Sequence, residues 1–381
     1  MKQTFFIVII LLSIALNAGS QVVEPNPIFT AVPSLTIAPD ARAGGMGDIG
    51  AATTPDVNSQ YWNPSKYVFM ESEAGVSLSY TPWLRSLVSD IDLIYMAGYY
   101  KFNPRQAFSA SMRYFSLGTI EMFDIDGGKL TDANPLEMAI DVAYSQMLSE
   151  KFSASAALRF IYSDLNNGVN QAGGSDMYPG ASVAADISAY YRTPIELTTG
   201  KGNLAFGLNL SNLGSKITYD KNATNNFIPT NLRLGGSFDY DIDDYQRFSV
   251  STDINKLLVP TTNPAKLAED LNYYNNMSTM TGIIQSFNDA PGGGKEELQE
   301  IMWSVGVEYA YNKQFFVRAG YFNENEYKGN RKYFTAGAGF KLNVFQLDAG
   351  YVISTSQSNP LDQTLRFSLS FDLFGLKNLV K

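Results

Sequence analysis

Three stretches of this 381-residue sequence carry residue types at spacings that chemistry uses. Gly45-Met46-Gly47-Asp48-Ile49-Gly50 is a G-x-G-x-x-G, the spacing at which a glycine-rich turn admits a dinucleotide pyrophosphate. A cofactor site of that kind needs a buried strand before the first glycine and a helix opening on the last. Pro33, Pro39 and a mixed polar run precede these glycines, and Ala51-Ala52-Thr53-Thr54-Pro55-Asp56 follows, where the proline stops any helix within about one turn. The stretch therefore predicts a compact, glycine-kinked segment packed against another part of the chain, with no cofactor. Asp124-Ile125-Asp126-Gly127-Gly128 resembles the start of a calcium loop but lacks the acidic ligand at its far end. Asp239, Asp241, Asp243 and Asp244 cluster at an expected tight turn, where solvated aspartates are common.

The chain has no histidine and no cysteine, which removes the usual general base at neutral pH, the thiol nucleophile and the usual zinc ligands together. Neither a catalytic set nor a metal site is expected. Lys2, the apolar run Phe5 to Leu16 and the small residues Ala18-Gly19-Ser20 have the three parts of a secretory signal peptide, residues 1–20, so the mature chain is expected to start near Gln21. Later in the chain no run approaches the length of a membrane-crossing helix. Loss of Lys2 takes the formal charge from −9 to −10, which disfavours nucleic acid as a partner. An exported chain without disulfides must hold together by burial and hydrogen bonding.

From Gly75 onward the dominant pattern is alternation with a period of two. Phe152, Ala154, Ala156, Leu158, Phe160 and Tyr162 share one parity; Ser153, Ser155, Ala157, Arg159, Ile161 and Ser163 share the other. Runs of this kind predict fourteen strands, at 75–82, 91–103, 107–118, 136–148, 151–163, 181–193, 201–214, 230–241, 246–256, 301–312, 314–323, 331–341, 343–354 and 363–374. Most have about ten residues, whereas strands of soluble sheets average five or six, and a tilted strand crosses a bilayer in roughly 9 to 11. Tight links alternate with long ones, the longest running some 44 residues from Lys256 to Glu300; the link from Thr193 to Lys201 is intermediate and departs from the rule. Short turns on one side and long loops on the other characterise an outer-membrane barrel. The expected fold is all-β: a 14-stranded antiparallel transmembrane β-barrel over residues 75–381, in a Gram-negative outer membrane, with both termini on the short-turn, periplasmic side.

A barrel of this size has a lumen that wall side chains cannot fill. Residues 21–74 are expected to enter it as a hatch, with Gly44, Gly45, Gly47 and Gly50 turning the chain against the wall and Asn63-Pro64 in the segment that follows; the alternative is a flexible periplasmic arm. The loop 258–300 is unusually apolar for a surface loop. Tyr273, Tyr274, Met277, Met280, Ile283, Ile284 and Phe287 suit either a partner-binding surface or a lid packed on the lumen, followed by the Gly292-Gly293-Gly294 hinge and Glu296-Glu297, and Lys266 to Leu271 could form a short helix.

Ala41-Arg42-Ala43-Gly44-Gly45-Met46-Gly47 together with Tyr61-Trp62-Asn63-Pro64-Ser65 resembles the N-terminal signature of the FadL-like outer-membrane barrels. Ile37 to Arg42, Asn255 to Pro260, Ile284 to Gly293 and Gly329 to Phe334 narrow the resemblance to the PorV family of type IX secretion systems. That resemblance implies binding of the C-terminal sorting domain of secreted cargo as it leaves the large translocon barrel. It also implies delivery of that cargo to a sortase-like attachment complex, which joins it to lipopolysaccharide in the outer-membrane lipid or releases it. The FadL side of the resemblance implies instead a transporter of fatty acids or other hydrophobic small molecules.

Overall fold

The structure, a computed structural model, describes residues 25–379 apart from 86–87, 89, 124–126, 167–176, 198–199, 221–224, 264–266 and 356–360. The signal segment and the Asp124–Asp126 pair lie outside the described residues. Fourteen strands form one closed antiparallel barrel. In chain order they are β1 (Ala74–Pro82), β2 (Asp92–Asn103), β3 (Gln106–Ser116), β4 (Leu136–Ser149), β5 (Phe152–Asp164), β6 (Gly180–Glu196), β7 (Lys201–Gly214), β8 (Asn231–Asp241), β9 (Gln246–Leu257), β10 (Met302–Tyr311), β11 (Phe315–Asn323), β12 (Lys332–Leu342), β13 (Phe345–Ser354) and β14 (Leu365–Asp372). Each pairs with its sequence neighbours, and β14 closes on β1, with Gly75 opposite Asp372 and Tyr80 opposite Phe367.

Every alternating run of the sequence lies on one barrel strand. The largest shift is at the end of β6, which reaches Glu196 and leaves a link to Lys201 as tight as the other turns on that end. The apparent exception to the loop-length rule was strand, hidden by Pro194 and Thr193 at the end of the apolar run. Two short hairpins were not expected: Ile120–Phe123 with Lys129–Ala133, and Ile217–Thr218 with Asn225–Asn226, both folded within long loops.

The alternation sorts side chains in the sense opposite to a soluble sheet. On β5, Leu158 is 63% exposed on the outer surface while neighbouring Arg159 is 5% exposed inside. Ser153, Ser155 and Ser163 are buried with Arg159. Lipid surrounds the apolar face, so the wall presents hydroxyls and charges to the lumen. What fills the lumen must then answer those polar groups.

The filler is the N-terminal segment, which acts as a hatch. It enters at the long-loop end, where the Asn26 amide donates to the Tyr327 carbonyl at 2.8 Å and the Ala31 amide to the Phe227 carbonyl at 2.9 Å. It runs down past a short helix at Ala41–Gly44, which lies against β12, β13 and β14, and ends in a 3₁₀ helix at Pro64–Phe69 against β2 to β6. Lys101, near the turn from β2 to β3, donates to the Met70 carbonyl at 2.6 Å. The expectation that both chain ends share the short-turn side rests, for the N-terminus, on residues 1–24, which lie outside the described residues. The strand count does bring β1 and β14 back to that end, and the helix Leu373–Leu379 packs there by Val344, but the hatch carries the first described residues through the lumen to the opposite mouth.

Close approach to the wall depends on Gly47. Its φ of +78° suits glycine, and a Cβ there would sit 2.9 Å from both the backbone nitrogen and the carbonyl oxygen of Tyr321 on β11. Gly127 has nearly the same φ, +82°, with nothing within 4 Å. Gly47→Val should therefore lower the midpoint of heat-modifiable unfolding and expose the hatch to protease, at a cost above the about 1–3 kcal/mol of backbone strain alone. Gly127→Val, which carries only the strain, should leave the hatch protected; equal protection in both variants would show that wall contact at Gly47 is unimportant.

Candidate functional site

The hatch is assembled around Asp40 and Arg42. Asp40 caps the Ala41–Gly44 helix, accepting from the Ala43 amide at 2.9 Å, and its other oxygen accepts from the Trp62 indole at 2.6 Å. Arg42 reaches the wall: its Nε and Nη2 donate to Glu308 of β10 at 3.1 and 2.9 Å, and Nη1 donates to Asp56 at 2.7 Å. Glu308 is held in turn by Arg318 at 2.6 Å, and Arg318 by Asp348 at 2.6 Å. Arg318, Glu308 and Asp348 are nearly excluded from solvent, so each charge depends on its neighbours.

The remaining hatch residues of the motif meet the wall through backbone. Gly44 lies under Arg366, Gly45 against Gly337, Gly47 against Tyr321, and Gly50 against the Trp62 ring. Amides that a helix would satisfy are taken by wall side chains instead. Gly47 donates to Thr335 at 2.8 Å, and Gly50 and Ala51 donate to Asp253 at 2.9 and 3.0 Å. Asn63 is fully buried and donates to the carbonyls of Ala51 and Ala189, both at 2.9 Å. The Pro64 carbonyl accepts from Ser145 at 2.8 Å. The apparent dinucleotide motif is a plug hinge: its short helix precedes the glycines, and its amides face protein.

At the long-loop end the segment after β9 forms three helices, Leu267–Asn276, Thr279–Gln285 and Gly294–Gln299. The expected helix from Lys266 to Leu271 is longer than supposed, and Lys266 itself lies outside the described residues. The apolar set divides in two. Met277 is buried, Tyr274 and Ile283 are half-buried, and the Tyr274 hydroxyl donates to the Thr261 carbonyl at 3.1 Å. Tyr273, Met280, Ile284 and Phe287 face outward, with Ile284 71% and Met280 64% exposed. Of the residues expected to form either a lid or a partner-binding surface, Tyr274, Met277 and Ile283 pack inward, and Tyr273, Met280, Ile284 and Phe287 lie on the exposed side.

An ionic knot, not anticipated from the sequence, holds the loop down. Glu300 receives Lys256 of β9 at 2.5 Å and Lys328 of the β11–β12 loop at 3.0 Å. Lys328 also pairs with Glu296 at 2.6 Å, and Lys256 with Glu297 at 3.1 Å. Asn26 of the hatch donates to Glu296 at 3.0 Å, so the strap and the loop share one fastening. Glu296-Glu297 was visible in the sequence, but its lysines lie on β9 and on the β11–β12 loop, and only the closed barrel brings them near. Phe29, 78% exposed on the strap, and Leu298 add to the outward apolar surface and were also missed.

The aspartate cluster separates. Asp239 faces the lumen and is buried, Asp241 pairs with Arg247 at 2.5 Å, and Asp243 accepts the Tyr245 and Gln246 amides within the turn. Among the described residues no group of three or more acidic side chains is arranged to hold a metal ion.

A family model described as type IX secretion system protein PorV matches residues 20–264. The chain belongs to the PorV family. No curated protein sequence matches it. Among solved structures, the Pseudomonas putida toluene transporter TodX is similar at a TM-score of 0.50 and 9% identity, over 88% of this chain and 97% of that one. A TodX deltaS2S3 mutant, described as a monoaromatic hydrocarbon channel, is similar at 0.50 and 11% identity, over 87% and 98%. A Pseudomonas aeruginosa FadL homologue gives 0.45 and 10% identity over 91% and 99%. At such identities the likeness is one of fold. The family that the chain belongs to is one of type IX secretion system proteins.

Two outcomes follow from the charges. Glu308→Gln leaves Arg42 and Arg318 facing each other without their shared carboxylate, which should cost on the order of 3–5 kcal/mol of hatch seating and read out as faster proteolysis of the hatch in an otherwise intact barrel. In the loop, burial, with Glu300 and Glu297 nearby, pushes the Asp289 carboxyl from its ordinary 3.8 up to about 7. A raised acid favours the docked loop below its ordinary value, and that contribution is lost as pH rises through about 7. A spin label at Asn276 should therefore be more mobile at pH 8 than at pH 5, and Asp289→Asn should remove most of that difference.

Proposed function

We propose that this chain binds the C-terminal sorting domain of secreted cargo at its long-loop end and carries it from the translocon barrel of the type IX system to a sortase-like attachment complex. The observation that carries the reading is the outward face of the loop helix Thr279–Gln285 and its flanks, where Tyr273, Met280, Ile284 and Phe287 are exposed on a loop clamped to the rim. A rigidly mounted apolar face loses little conformational freedom on binding. Exposed aromatic and aliphatic groups of this kind mark association sites. The hatch occupies the lumen from one mouth to the other, so cargo is held outside the barrel and does not pass through it.

In this reading the long loops and the N-terminal strap face the exterior, and the tight turns and the Leu373–Leu379 helix face the periplasm. The translocon barrel, the attachment complex and lipopolysaccharide are then neighbours of the exposed loop or of the lipid-facing wall. Replacing Met280, Ile284 and Phe287 together with Ser removes the face but spares Tyr274, Met277 and Ile283 beneath it. The triple variant should remain a heat-modifiable barrel and lose at least tenfold in recovery of co-purified sorting-domain cargo, equivalent to about 1.4 kcal/mol. Full recovery with the triple variant would overturn the assignment of the cargo site.

A further inference from the structure

The exposed apolar face at the long-loop end is built from two distant parts of the chain. On one side the strap is fastened by Asn26, whose side chain donates to Glu296 of the helix Gly294–Gln299 at 3.0 Å. On the other the Ala31 amide donates to the Phe227 carbonyl at 2.9 Å. The Phe227 ring lies so close to the helix Thr279–Gln285 that a Cβ on Gly282 would sit 2.8 Å from it. Phe29 is at most three peptide units, about 11 Å, from either anchor. It is exposed between the two helices, beside the outward Leu298 and Ile284.

The charge around this face says what covers it. The seven loops joining strands at this end hold sixteen acidic and eight basic residues, a formal charge of −8. The six tight turns at the other end and the chain after Asp372 hold three acidic and five basic, a charge of +2. Nearly all of the molecule's net charge of −9 is thus gathered at the mouth that carries the apolar face. Even the fastening is not neutral, since Glu296, Glu297 and Glu300 share two lysines, Lys256 and Lys328. Glu326, exposed one residue before the Tyr327 carbonyl that holds the strap, makes no ion pair among the described residues.

We propose that the partner domain seated on this face is basic, with a rim of lysine and arginine around an apolar centre. The acidic mouth draws it in, and Phe29, Leu298, Ile284 and Phe287 hold it. The proposal rests on the cargo reading and specifies the chemistry of the sorting domain's docking surface. Charge of one sign on one face sets up a potential that acts ahead of contact. It therefore governs the rate of capture, while apolar burial governs the lifetime of the complex. The same potential repels anionic headgroups, so lipid is not the occupant.

Surface plasmon resonance tests this with the full-length protein in phosphatidylcholine nanodiscs and a recombinant cargo sorting domain as the probe. Raising NaCl from about 50 to about 500 mM takes the screening length from above about 10 Å to below about 8 Å. The association rate constant should fall by about tenfold or more, and the dissociation rate constant should change by less than about threefold. At about 50 mM NaCl, Glu326→Lys should slow association by about threefold or more. Asp244→Lys, the same change of charge at an exposed position in the tight turn between β8 and β9, should not. Phe29→Ser should instead speed dissociation. Association indifferent to salt and to Glu326→Lys would overturn this proposal and leave the cargo reading standing, whereas no binding at any salt would overturn both. Binding that appears only with lipopolysaccharide and Mg²⁺ would assign the face to bridged anionic lipid and overturn the proposal as well.

Discussion

Hydrocarbon offers no partner to a peptide N–H or C=O, and that single deficit organises the whole molecule. Every strand within the membrane must pair on both edges, which a chain of this kind achieves only by returning β14 to β1. Closure with lipid outside puts Leu158 and its kind on the surface and drives serines, arginines and carboxylates inward. The lumen then repeats the problem in reverse, since buried polar groups need partners that neighbouring strands supply only in part. A plug built of ordinary helix would satisfy its own amides and leave the wall unanswered. The hatch instead keeps most of its backbone irregular and gives its amides and carbonyls to Asp253, Thr335, Ser145 and Ser153.

The charged groups follow the same logic at higher stakes. Arg42, Glu308, Arg318 and Asp348 alternate in sign across the hatch and three strands, so none is left alone in the interior. On the opposite wall Arg159 joins Asp141 and Asp186, both at 2.9 Å. Such pairs add little net stability over apolar packing but penalise any arrangement that separates them. They fix one position for the plug, where a greasy lumen would tolerate several.

Legibility in the sequence tracked the range of the interaction. Strand positions were readable because period-two alternation is local and repeated, and loop lengths fixed which strand ends lie together. The role of Gly47 was readable in outline, since its neighbours exclude a helix there. What escaped was long-range pairing: Arg42 is 266 residues from Glu308, and Glu296 is 270 residues from Asn26. The path of the strap escaped for a related reason. Strand parity governs the barrel alone, and nothing in residues 25–36 records that they cross the lumen to the far mouth. Asp239 and its neighbours were grouped by spacing, yet strand alternation turns Asp239 inward and leaves Asp243 in the turn.

The fastening at the mouth ties these layers together. Glu296 binds Lys328 of one loop and Asn26 of the strap, while Glu300 binds Lys328 and Lys256. Lifting the long loop from the rim breaks the bond between Asn26 and Glu296, while the backbone bonds of the strap to Tyr327 and Phe227 remain. The strap continues into the hatch, whose own grip lies deeper, at Arg42 and Asp253. Disturbance at the surface can therefore loosen the mouth while the lower plug stays seated. In the proposed carrier role, that division would let the outer contacts change while the lumen stays filled.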